Sequence, residues 1–233
     1  MRKMKSFINP LAFLEVDHPL GEPEIPSSER ILEFLCPPNS DTDPATLIKR
    51  YRELSPEPVR LFAAPFEERI LDKLIWPLRH AKASYMVGNY LSVIALCGMV
   101  AEMVSLLAWS ISETQLNGRL MTEADEKSLF GSTVEKLGQE RRVQILWAYG
   151  LIDADGKRRF DTARETRRKY LHLWSQDHDS LPKDAVRIYH AALVLVVGVI
   201  GQDVQDGKIL INSRLVKYLE RKGVYQPRDE SAD

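Results

Sequence analysis

The stretch that most constrains the fold runs from Leu91 to Ile111 and is apolar around almost its whole circumference. Glu102 is the only formally charged residue in it. A helix that is hydrophobic all round has to be buried, either at the centre of a helical bundle or across a membrane. A carboxylate near the middle of a membrane span costs about 2.5–3.5 kcal/mol on insertion scales. We therefore predict a buried core helix and no membrane association.

Helical periodicity continues on both sides of this segment. Upstream, apolar residues recur at helical spacing from Phe66 to Tyr85, which predicts a helix that continues past Pro77 and ends at Gly88-Asn89. Downstream, short helices are predicted to open at Thr122 and at Ser132, the second with a capping box. A helix over Arg141–Tyr149 is predicted to turn Val143, Leu146 and Trp147 inward, and a turn at Asp153–Gly156 follows it. The remaining predicted elements are a basic helix over Asp161–Leu173, an apolar helix over Lys183–Gln202, a short strand at Ile209–Ile211 and a helix over Ser213–Lys222. Few segments alternate with period two, so the predicted class is all-α, an up-and-down helical bundle.

Prolines set the first part of the chain apart. Nine of them fall within residues 1–60, a spacing that excludes long helices. Two short helices fit between the prolines, one capped by Ser28 over Glu29–Leu35 and one begun by Asp43-Pro44 and running through Leu54. We predict a proline-rich N-terminal arm over 1–60, a helical bundle over 61–203, and a C-terminal extension and tail over 204–233.

Charge and composition narrow the function. The net charge of −1 provides no overall field that attracts nucleic acid, so any such attraction must come from a local patch. Two cysteines are too few for a disulfide framework, and the five histidines form no HxxxH pair. These counts predict a cytoplasmic protein without a metal or another cofactor.

One local basic patch is present. Residues 157–169 contain seven basic residues against two acidic ones. The patch ends in Arg167-Arg168-Lys169-Tyr170-Leu171-His172, directly before a loop and the last long apolar helix. This segment is the strongest candidate for a functional site.

Together with an upstream stretch, this segment resembles the HEPN superfamily of helical bundles. The upstream stretch runs from Ala81 to Glu102 and contains Gly88-Asn89-Tyr90. In HEPN proteins one helix pair is joined at a Gly-x-Tyr break, and the last pair contains an Arg, four to six further residues, and a His. The resemblance covers about Pro65 to Gln202. The chain departs from the pattern at Arg168, where HEPN ribonucleases commonly have a short polar residue.

The resemblance implies a metal-independent endoribonuclease of a toxin or defence system, working as a homodimer. Its target would be RNA, and a cognate antitoxin or defence partner of unknown identity is implied. His172 would move the proton of a ribose 2′-OH, since the ordinary pKa of a histidine lies near working pH. Arg167 would stabilise the charge on the phosphate with its forked donors. The family also contains non-catalytic binding and dimerisation modules, which form the alternative.

Helix geometry limits how Arg167 and His172 can act together. On a straight helix they lie about 140° apart, whereas Arg164, Arg168 and His172 share a face. Convergence of Arg167 with His172 therefore requires the helix to loosen near Leu171, or a second subunit to supply one of the two.

Each further candidate residue has a structural alternative. Arg164, Arg168 and Lys169 are candidates for binding phosphate. Alternatively, Arg164, Arg167 and Arg168 form a solvated basic face paired with Asp161 and Glu165. His172 either acts in catalysis or closes a helix C-terminus. Tyr170 and Trp174 are predicted core or dimer contacts, and Trp174 is alternatively a stacking platform for an unpaired base. Glu102, on a buried helix, needs a partner, and Arg167 or Arg164 is the predicted one.

Overall fold

The computed structural model describes residues 43–55, 62–63, 68–171, 179–205 and 208–222, and over these ranges the protein is an all-α helical bundle with a few short strands. This confirms the predicted fold class. The predicted helix over Glu29–Leu35 and the C-terminal tail lie outside the described residues. The helices are α1 (Pro44–Leu54), α2 (Glu68–Met86), α3 (Tyr90–Ile111), α4 (Glu123–Phe130), α5 (Gln139–Ala148), α6 (Ala154–Leu171), α7 (Leu181–Ile200) and α8 (Ser213–Arg221).

The apolar helix α3 lies at the centre and packs against α2, α6 and α7. It begins after Gly88, whose φ of +83° suits glycine, and the side chain of Asn89 accepts a hydrogen bond from the Ser92 amide at 3.2 Å. By length and composition α3 is apolar enough to cross a membrane, and 50% of its most apolar window is buried inside the bundle. The burial agrees with the predicted role as a core helix.

The helices α1 and α8 also contribute side chains to the hydrophobic core around α3. Asp43 caps α1 by accepting a hydrogen bond from the Thr46 amide at 3.0 Å, and Leu54 at the end of α1 is buried. At the other end of the chain, Leu215 and Leu219 of α8 are buried in the same hydrophobic cluster. The predicted helices at Asp43–Leu54 and Ser213–Lys222 are therefore confirmed to within one residue.

The strands are short and form two separate sheets. β1 (Phe62–Ala63) pairs in parallel with β5 (Lys208–Ile211), and β5 pairs antiparallel with β4 (Gly201–Gln205). The predicted strand at Ile209–Ile211 is thus confirmed. A separate hairpin joins β2 (Gln115–Leu116) to β3 (Arg119–Leu120) through a turn at Asn117-Gly118, whose residues have φ of +51° and +79°.

The predicted capping box at Ser132 is wrong. The capping box forms instead at Thr122, where the hydroxyl accepts from the Asp125 amide and the Asp125 carboxylate accepts from the Thr122 amide. The segment after Ser132 is a 3₁₀ turn over Val134–Lys136 without a side-chain cap. A three-residue turn is too short for the helical pattern that the sequence suggested there.

Two predictions around the basic helix are also wrong. The Asp153–Gly156 segment is not a separate turn but the start of α6, because the Asp153 carboxylate accepts from the Gly156 amide at 2.7 Å. Trp147 was predicted to face inward, yet its exposed fraction is 53%. The other two residues predicted to face inward on that helix, Val143 and Leu146, are buried.

Candidate functional site around Arg167 and Glu102

Arg167 extends from α6 across the surface of α3 and ends in an ion pair with Glu102. The Arg167 Nη1 donates to the Glu102 Oε2 at 3.1 Å. This confirms the predicted pairing of Glu102 with the basic helix. Neither side chain is buried, since the exposed fractions are 35% for Arg167 and 42% for Glu102. The charged pair is therefore accessible from solvent.

Gly98 makes this crossing possible. It is buried on α3, one helical turn before Glu102. A Cβ atom placed on Gly98 would lie 2.7 Å from the Cδ of Arg167 and 3.3 Å from its Cγ, which is closer than carbon atoms pack. The arginine stem thus lies in the space that the missing side chain leaves, and the guanidinium reaches the carboxylate one turn further on.

The main chain at Glu102 contacts a second arginine, Arg142. This α5 residue is buried, and its Nη1 donates to the Ser105 Oγ at 2.9 Å and to the Glu102 carbonyl at 3.5 Å. Its other donors bind three carbonyls around the 3₁₀ turn, those of Val134, Glu135 and Leu137. Burial lowers the pKa of Arg142, and the charges of Glu102 and Glu135 partly oppose this.

Lys169 and Tyr170 meet a different partner, Asp184 in the first turn of α7. The Asp184 Oδ2 accepts from the Tyr170 hydroxyl at 2.7 Å and from the Lys169 Nζ at 3.2 Å. Burial by itself would raise the pKa of Asp184, but the hydrogen bonds from Tyr170 and Lys169 and the charge of Arg187 outweigh it and lower that pKa. Tyr170 is buried, as predicted for a core contact.

Arg164 is bound to acidic groups, as the structural alternative predicted. Its Nη1 donates to the Glu140 Oε2 of α5 at 3.1 Å, and its Nη2 lies 3.6 Å from Asp161 and 3.7 Å from Glu165. The basic residues of α6 thus connect it to three different helices: Arg164 to α5, Arg167 to α3, and Lys169 to α7.

Ion pairing leaves little free positive charge on α6. Six of its seven basic residues over 157–169 pair with carboxylates, the partners being Asp155, Asp161, Glu140, Glu102 and Asp184. Arg168 is exposed, and no ion pair joins it to another described residue. Arg168 is thus the basic residue of this stretch whose charge no described carboxylate balances.

The pair borders a half-exposed apolar face of α3. Leu91 and Met99, with exposed fractions of 38% and 42%, lie on the side of α3 that the bundle leaves uncovered. Helical geometry places Ala95 between them and Leu106 on the same face one turn after Glu102, and both are partly exposed. An arginine–carboxylate pair thus stands at the edge of an apolar surface.

Two predicted site residues, His172 and Trp174, lie outside the described residues, and α6 as described ends at Leu171. The convergence of Arg167 with His172 stays a prediction. Among the residues that the structure describes, no three His, Cys, Asp or Glu side chains are arranged so that they could hold a metal ion.

The protein is, by its fold, an all-α helical bundle with a half-exposed arginine held by a carboxylate beside an apolar helix face. No protein-family model matches the chain, and neither does any curated protein or solved structure.

Proposed function

We propose that the protein is a HEPN-type RNA-directed homodimer of the cytoplasm, a metal-independent endoribonuclease of a toxin or defence system in which Arg167 and His172 act on the scissile phosphate. The observation that supports this most is the placement of Arg167, which Glu102 and Gly98 hold at a solvent-accessible edge of α3. Fixed donors aimed at a developing charge are the main source of catalysis in phosphate chemistry.

Glu102 acts as a positioning residue in this proposal. It engages the Arg167 Nη1, and a guanidinium has five N–H donors in a rigid fork. The donors that Glu102 does not use are available to phosphate oxygens, while the carboxylate prevents the long side chain from sampling other rotamers. The Arg142 Nη1 reaches the Glu102 carbonyl at 3.5 Å, so the main chain and the carboxylate of Glu102 each contact an arginine.

The second subunit covers the apolar face of α3. A twofold axis beside Met99 and Leu106 would bury the same face on both copies, as an isologous interface requires. The Arg167–Glu102 ion pair lies at the border of this face. Charged groups are costly in hydrocarbon, so the pair disfavours a lipid bilayer as the partner that covers the face. Each Arg167 would then lie close to the α6 C-terminus of the partner, which resolves the 140° separation from His172 on one helix.

The chemistry needs no metal. The ribose 2′-oxygen attacks the adjacent phosphorus as His172 takes the hydroxyl proton, and Arg167 stabilises the added negative charge. The bond from phosphorus to the 5′-oxygen then breaks, the leaving oxygen takes a proton from water, and His172 releases its proton to solvent. The products are a 2′,3′-cyclic phosphate and a 5′-hydroxyl end.

Incubation of the purified protein with mixed-sequence RNA in EDTA is expected to produce fragments with these ends. His172→Ala is expected to lower the rate about 100-fold or more, because general acid–base catalysis contributes about 10²–10⁴-fold. His80→Ala removes an exposed histidine of α2 and serves as the matched control with unchanged cleavage. Wild-type protein that leaves RNA intact, or cleavage equal in both variants, would contradict the enzymatic proposal.

The alternative function is a non-catalytic HEPN-like binding or dimerisation module. It is favoured by one observation, the neutralisation of six of the seven cations of α6 by carboxylates of the same chain. An intact homodimer that neither cleaves nor binds RNA would support it.

A further inference from the structure

The groove between α5 and α6 has a volume of about 390 Å³ and is lined by Trp147 on one side and by Lys157, Arg158, Asp161 and Thr162 on the other. This volume lies within the range of small-ligand pockets. Trp147 stands half-exposed at its rim, with the Lys157 Nζ 5.7 Å from the centre of its ring. The groove is separate from Arg167, whose stem lies against Gly98 of α3.

The exposure of Trp147 follows from the way α5 is oriented. The buried side of this helix is formed by Arg142, Val143, Ile145 and Leu146, so the adjacent Trp147 turns away from the core. A large aromatic side chain left at the surface next to cations is a feature of surfaces that stack unpaired bases.

The charges in the groove are balanced. Lys157 pairs with Asp161 at 3.0 Å, and Arg158 pairs with Asp155. A groove without net positive charge is poorly suited to a phosphate but suits an uncharged heteroaromatic ring, which gains its affinity by stacking. The ring nitrogens and amino groups of such a ring find carboxylates and a Thr162 hydroxyl along the wall.

The groove faces the same side of α6 as Arg168, which forms no ion pair with another described residue. Arg158, Thr162 and Glu165 follow each other at spacings of four and three residues, and the row continues to Arg168. Arg168 lies about 15 Å further along the axis than Arg158, from the rise per residue. A single strand lying along this face would place a base at Trp147 and a phosphate at Arg168.

We propose that this groove binds an unpaired RNA base, stacked on Trp147, while the strand continues along α6 towards Arg168. The proposal rests on the proposed function, because it concerns the same RNA. It assigns the stacking role to Trp147.

The test uses the full-length protein and a fluorescently labelled single-stranded decamer of 2′-O-methyl RNA, which lacks the attacking hydroxyl and so stays intact during binding. Fluorescence anisotropy measures its affinity for wild type, Trp147→Leu and Trp147→Phe. Leucine keeps an apolar side chain without a π-face, and phenylalanine keeps the ring. Trp76→Leu is the matched control, since Trp76 of α2 is 59% exposed.

Trp147→Leu is expected to weaken binding about 5- to 100-fold, the range for loss of one base–aromatic stack. Trp147→Phe is expected to restore most of the affinity, and Trp76→Leu to bind like wild type. A decamer without bases should bind the wild-type protein weakly, and its affinity should be no lower for Trp147→Leu. If Trp147→Leu binds the decamer as tightly as the wild-type protein does, the stacking proposal alone is overturned. If the wild-type protein binds no RNA, both the stacking proposal and the proposed function are overturned.

Discussion

Gly98→Ala is expected to lower RNA cleavage about 10- to 100-fold while the protein stays folded. The new methyl group would lie 2.7 Å from the Arg167 Cδ, so the arginine stem has to leave its path across α3 and the guanidinium loses its hold on Glu102. Misplacing a positioned group by about 1 Å can cost about 10²-fold in rate. The measurement is the initial rate of cleavage, together with a thermal melt.

Stability should change little in this variant. Alanine in a helix interior is more favourable than glycine by about 1 kcal/mol, and a half-exposed ion pair contributes about 0–1 kcal/mol. These terms oppose each other. The matched control is Gly198→Ala in α7, where a Cβ meets no atom within 4 Å; it should keep full activity and gain some stability. Equal cleavage by Gly98→Ala and wild type would show that the position of Arg167 is irrelevant to catalysis.

Arg142→Met is expected to lower the free energy of unfolding by about 3–5 kcal/mol. The variant keeps an apolar stem but leaves the carbonyls of Val134, Glu135 and Leu137 without the donor that now reaches them. A buried carbonyl left without a donor costs about 1–3 kcal/mol, so the loss of several such hydrogen bonds reaches this range. Urea denaturation followed by circular dichroism measures the change.

The neighbouring Arg141 provides the control for this experiment. It is exposed on the same helix, so Arg141→Met should alter the free energy of unfolding by less than about 0.5 kcal/mol. A loss in Arg142→Met no larger than in the control would mean that water satisfies the three carbonyls as well as the guanidinium does.

Local signals in the sequence were sufficient for most helices. The Asp43-Pro44 start of α1 and the break at Gly88-Asn89 depend on capping and backbone preferences of adjacent residues, and both are present. The pairing of Glu102 was also predictable, because a lone carboxylate on an apolar helix requires a partner. The choice of Arg167 over Arg164 depended on how α6 lies against α3, which the spacing of residues does not specify.

Features that depend on tertiary contacts were missed. Arg142 lies next to Val143 and four residues before Leu146, so a charge on the apolar side of α5 was the available signal. Its role depends on a 3₁₀ turn brought close by folding. Gly98 precedes Glu102 by one turn, but only the course of Arg167 reveals why a glycine is needed there. The burial of Trp147 was predicted wrongly because helical periodicity does not distinguish the edge of a buried face from its centre.

The central claim, a composite site of Arg167 from one subunit and His172 from the other, is tested most directly by mixing two inactive variants. Arg167→Ala and His172→Ala are dissociated together and allowed to re-form dimers, and cleavage of RNA is measured in EDTA. In a mixed dimer one of the two sites has both residues intact. The account predicts recovery of about one quarter of wild-type activity, because about half of the dimers are mixed and each has one complete site of two. A mixture no more active than either variant alone, beside an active wild type, would contradict it.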